Sequence, residues 1–108
     1  MPIRLDKSWL SLDAAAGLPG QLGVFELADE AGKVRYIGYA GGRSRFGLRS
    51  EVSAAAERIP EARRFRVEVT TAYLTRYREL LMAHEADQGA LPPHNEPMPR
   101  LGRLSPGS

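Results

Sequence analysis

Cysteine is absent from the 108-residue chain, and histidine occurs only as His84 and His94. With no thiol there is no disulfide scaffold, no thiolate metal site and no cysteine nucleophile. The two histidines stand ten residues apart, with no further histidine or cysteine to complete a zinc site. No apolar run approaches the roughly 20 residues that a membrane-spanning helix needs. Met1 to Leu12 carries Arg4, Asp6 and Lys7 and lacks a continuous apolar core. It does not read as a secretory leader, so the expected compartment is the cytoplasm, with no membrane partner. Neither charge sign dominates: the net charge of +2 permits contact with a phosphate backbone without requiring it. Gly41-Gly42-Arg43-Ser44 lacks the Gly-Lys-Ser/Thr ending of a nucleotide-binding loop, and the spacings support no Ser-His-Asp triad.

What is present is the composition of one folded domain, 43% hydrophobic and 26% charged. Residues 1–20 read as an arm packing on that domain, anchored by Trp9. Ala14 to Ala16 would form a short helix within it, capped by Asp13 and ended by Gly17 and Pro19. From Gln21 to Ala28, Leu22, Val24, Phe25 and Leu27 are apolar on both sides of the alternation, which predicts a strand covered on both faces. A turn over Asp29 to Lys33, with Gly32 free to take a positive φ, leads into a second strand from Val34 to Tyr39. After a glycine-containing loop, Leu48, Val52, Ala55 and Ile59 recur at helical period, predicting a helix over about 46–58 that Pro60 stops.

Phe65, Val67 and Val69 alternate with Arg64, Arg66 and Glu68 in a third, half-buried strand. The second helix is expected over about 72–88, with Tyr73, Tyr77, Leu80 and His84 in one row and Gly89 as its stop. The domain therefore covers residues 21–95. In the tail, 96–108, Leu101 and Leu104 are candidate anchors and residues 105–108 are expected to be disordered. The order β-β-α-β-α predicts an α/β layered domain, a small, mostly antiparallel three-stranded sheet flanked by helices.

That order resembles the GIY-YIG nuclease superfamily, and several residues fall where its motifs would. Gly23-Val24-Phe25 stands for Gly-Ile-Tyr on the first strand, and Tyr36-Ile37-Gly38 repeats the second motif in full. Phe46-Gly47-Leu48-Arg49 is similar to the family's apolar-x-x-Arg. Glu79 with Met82 and Ala83 resembles its Glu-x-x-apolar-apolar helix, and Pro92-Pro93-His94-Asn95 its terminal Pro-x-x-Asn. The match runs from Gly23 to Asn95.

The resemblance implies hydrolysis of DNA or RNA phosphodiester bonds with Mg²⁺ or Mn²⁺. Such chemistry needs a positioned water, neutralised phosphate charge and a Lewis acid for the leaving oxygen. By resemblance, Tyr36 would orient or deprotonate the water and Arg49 would contact the scissile phosphate. Glu79 would be the single carboxylate on the metal, with Glu85 as its rival, and Asn95 would brace the site. Arg43 and Arg45, in a loop longer than the family's, compete with Arg49 for the phosphate and are candidate nucleic-acid contacts. Phe25 stands where the family has a tyrosine, and strand alternation puts Tyr39 on the face opposite Tyr36. A second reading follows from that missing hydroxyl: a catalytically silent module of the same fold that binds nucleic acid or a protein. With no second domain to supply specificity, any cutting is expected to be weakly specific or to need a partner protein.

The same residues also have ordinary structural readings. Tyr36 can pack beside Val34, Arg49 can lie along the apolar stripe of its helix, and Glu79 can pair with Arg76 at i−3.

Overall fold

The computed structural model describes residue 5 and residues 7–95. The chain runs through β1 (Leu10–Ser11), a 3-10 helix (Leu12–Gly17), β2 (Gly23–Ala28), β3 (Val34–Ala40), α1 (Gly47–Arg58), β4 (Arg64–Val69) and α2 (Tyr73–Gln88). The tail, including Leu101, Leu104 and residues 105–108, lies outside the described residues, as do Arg4 and Asp6.

The strands form one antiparallel sheet in the order β1-β4-β2-β3. β2 is buried along its whole length, as its two-sided apolar pattern predicts, because α1 covers one face and α2 the other. On the α1 side Phe25, Leu27 and Phe65 meet Leu48, Val52 and Ile59. On the α2 side Val24 and Ile37 meet Leu80 and Leu81. Each of these larger side chains stabilises the fold by about 1.5–3 kcal/mol when fully buried.

Among the described residues the sheet has four strands rather than the three expected. Leu10 and Ser11 pair with Phe65 and Arg64, and a two-residue strand is too short to leave a periodic signal. Leu10 and Ser11 thereby join the sheet edge, and Trp9 packs beside them on β4. The Arg66 guanidinium lies 4.0 Å from the centre of the indole and donates to the Lys7 carbonyl at 3.1 Å. The short helix starts earlier than the alanines suggested. Its cap is Ser11, whose hydroxyl accepts from the Asp13 N–H at 3.4 Å.

Three glycines among the described residues have a positive φ, where a side chain would be strained, and two of them punctuate the fold. Gly32 closes the hairpin turn at φ 84°, and Gly89 ends α2 in the left-handed region at φ 81°. β3 is an edge strand, and the last described residues cover part of that edge. The His94 N–H donates to the Arg35 carbonyl at 3.0 Å.

Candidate functional site

A cleft of about 500 Å³ opens at the far end of β3, between the loop that follows it and the first turns of α2. Its lining contains all four tyrosines of the chain, Tyr36, Tyr39, Tyr73 and Tyr77. Alternation along β3 does put Tyr36 and Tyr39 on opposite faces. Tyr36 packs on the α1 side against Phe25, with ring centres 5.9 Å apart. Tyr39 lies on the α2 side, stacked on Tyr73 at 5.7 Å and 16° and meeting Tyr77 edge-on at 4.9 Å. Both nevertheless reach one cleft, because β3 is the sheet edge and the cleft wraps around it.

The motif glycines have steric reasons. A Cβ on Gly38 would sit 2.5 Å from Phe25 Cζ and 2.8 Å from Tyr36 Cε2, so the rings of both motifs occupy the space the glycine leaves. On Gly23 it would lie 2.1 Å from the Glu68 carbonyl oxygen, so β2 and β4 approach as closely as they do only over a glycine.

The loop after β3 is tied down on both sides. The Gly41 N–H donates to Ser44 Oγ at 3.2 Å, and the Ser44 hydroxyl donates to Glu51 Oε2 at 2.8 Å. The Gly42 N–H donates to the Tyr73 hydroxyl at 3.2 Å. Arg43 projects from this loop as the cleft's cation, and Glu51, from α1, is its carboxylate. Asn95 supports the floor from below: Oδ1 accepts from the Ile37 N–H at 2.8 Å, Nδ2 donates to the Ile37 carbonyl at 2.9 Å, and the side chain also bonds Tyr77. Burial, and then the neighbouring Tyr36, raise Tyr77 above the ordinary phenol range. Its hydroxyl therefore stays protonated at neutral pH.

Of the residues expected at a site, the structure gathers Tyr36 and Arg43 in the cleft, with Asn95 behind it. Arg49 and Arg45 are directed elsewhere, their guanidinium carbons 5.3 and 5.8 Å from the centre of the exposed Phe46 ring. Glu79 is not in the cleft lining. It lies about 200° around α2 from Tyr77 at 3.6 residues per turn. There it pairs with Arg76 at 3.2 Å, and Arg76 in turn grips both carboxylate oxygens of Glu68 on β4 at 3.0 Å. A lone carboxylate turned away from Tyr36 and Arg43 does not fit the role of holding Mg²⁺ or Mn²⁺ there. No group of three or more His, Asp or Glu among the described residues offers an alternative cage. Glu85, its rival, is exposed on the last turns of α2.

Tyr39, which strand alternation alone would exclude from a site holding Tyr36, lines the same cleft. Tyr73 and Tyr77 have helix-face spacing, which reads as core, and Glu51 has no motif around it. The arginines near β4 mostly have partners within the fold. Arg66 is held by Glu26 at 2.7 Å, and Arg63 donates to the carbonyls of Pro60 and Ala62.

Residues 1–87 match the family described as Domain of unknown function (DUF7508), and the chain belongs to that family. No curated protein matches it.

Proposed function

We propose that this member of the DUF7508 family is a GIY-YIG-like domain that binds nucleic acid in its tyrosine cleft without cutting it. The observation that carries the reading is the convergence of all four tyrosines with Arg43 on one concave surface. Aromatic faces accept bases by stacking, at about 1–3 kcal/mol per base, and an arginine beside them meets the phosphates. Against hydrolysis stands the placement of Glu79, which is engaged by Arg76 on the opposite flank of α2.

One observation favours the hydrolytic reading. Glu51 brings a carboxylate into the cleft with Tyr36 and Arg43, although it already accepts the Ser44 hydroxyl.

The test is incubation of supercoiled DNA, branched DNA and structured RNA with the protein in Mg²⁺ and in Mn²⁺, scored for both retention and cleavage. Glu79→Ala and Glu51→Gln run beside the wild type. Retention of the nucleic acid with no cleavage is expected. Metal-dependent cleavage lost in Glu79→Ala would restore the family's chemistry, and cleavage lost in Glu51→Gln would move it to the α1 carboxylate.

A further inference from the structure

We infer, resting on the nucleic-acid reading above, that the cleft takes an unpaired nucleotide from a single-stranded or looped segment, not a base pair. Tyr39 remains 39% exposed although it is stacked on Tyr73 and edged by Tyr77, so one aromatic pair is presented to solvent inside the concavity. Leu74, 45% exposed, extends that apolar surface along the first turn of α2. The cleft volume of about 500 Å³ falls among ligand pockets of about 300–1,000 Å³ and suits a base with its sugar.

A base within a duplex has both faces covered by its neighbours. It reaches a recessed ring only after leaving the stack, whereas an unpaired base offers its face freely. The polar groups suit the same ligand. Arg43 stands at the loop beside the rings, where a backbone phosphate would follow a base stacked on Tyr39.

The experiment is fluorescence anisotropy with labelled oligo-dT, oligo-U and a blunt duplex of equal length, using the full chain. Single strands should bind at least about tenfold more tightly than the duplex. Tyr39→Leu should lose about tenfold or more of that affinity while Tyr39→Phe retains it. Leu74→Glu, a change on an exposed helix position, should also weaken single-strand binding and keeps the test open if Tyr39→Leu does not fold. The dT and U arms distinguish DNA from RNA as the source. Duplex binding as tight as single-strand binding, or single-strand binding indifferent to both variants, would overturn the inference and leave the nucleic-acid reading intact. No binding to any of the three probes would sink both.

Discussion

The side-chain amide of Asn95 hydrogen-bonds both backbone groups of Ile37, accepting from its N–H at 2.8 Å and donating to its carbonyl at 2.9 Å. One side chain thus does for the edge of β3 what a neighbouring strand would do, 58 residues away in sequence. It holds straight the segment that carries Tyr36 and Tyr39 and gives Tyr77 a partner.

Asn95→Ala removes that substitute strand and leaves two backbone groups without their partner. Stability should fall by about 1–3 kcal/mol, read as a lower urea midpoint at unchanged slope. Asn95→Asp keeps an acceptor for the N–H but sets a carboxylate oxygen against the Ile37 carbonyl, so it should fall short of full rescue. A loss below a few tenths of a kcal/mol for Asn95→Ala would show the edge to be equally well satisfied by water.

Gly38→Ala would place a methyl 2.5 Å from Phe25 Cζ, and relieving such overpacking costs about 1–3 kcal/mol. Because the clash is with a ring, Phe25→Leu should recover part of the loss when combined with it. Gly23→Ala meets the Glu68 backbone oxygen at 2.1 Å instead and should be harder to rescue by any single side-chain change. Thermal unfolding of the single and double variants tests the contrast.

Glu79 and Arg76 should respond unequally. The Glu79 side chain is 43% exposed, so Glu79→Ala should cost less than about 1 kcal/mol and leave nucleic-acid affinity unchanged. Arg76→Ala strips the partner from both Glu68 and Glu79 and should be distinctly more destabilising in the same denaturant series. Equal effects from the two variants would show that the Glu68 pair contributes nothing.

Acid should act on the fold with opposing signs. Hydrogen bonding from His94 to Glu61, and from the Lys33 and Ala31 backbone to Asp29, lowers both carboxyls below their ordinary values. Their stabilisation is present above those ordinary values and fades as pH falls through the lowered ones. Glu26 behaves inversely: burial, only partly offset by Arg66, raises it. The native state then holds the Glu26 proton more tightly than the unfolded chain does. Stability from this group is therefore complete below the ordinary glutamate value and declines as pH rises through the raised one. Urea titrations of wild type and Glu26→Gln across that window should show the variant gaining on the wild type as pH increases. The reverse trend would mean that the Arg66 pair outweighs desolvation.

Arg43→Ala should weaken binding to all sequences alike and flatten the dependence of log affinity on log salt by about 0.7 for a single strand. Tyr39→Leu should weaken binding with the slope unchanged, because stacking releases no counterions. Anisotropy titrations at several salt concentrations separate the two.

Much of the architecture follows from local pattern alone. The two-sided apolar run of β2, the alternation of β4, the stripe of α1 and the stop at Gly89 are short-range consequences of side-chain period and backbone freedom. They appear within a residue or two of where the sequence places them. β1 escapes such reading because two residues carry no period, and Ser11 displaces Asp13 as a cap because the 3-10 helix begins at Leu12.

The site divides differently. Tyr36 and Asn95 can be named only through the resemblance of their motifs, and Arg43 through its place in the glycine-containing loop. That Tyr36 and Tyr39 serve one cleft, although strand alternation sends them to opposite faces, depends on β3 lying at the sheet edge, which pairing among distant strands sets. The same holds for Glu79. Its spacing fits a functional helix, yet the rotation of α2 against the sheet aims it at Arg76 and Glu68 while Glu51 faces the cleft. Periodicity tells which side of a helix is buried; which neighbour each flank meets is a matter of packing between elements far apart in the chain.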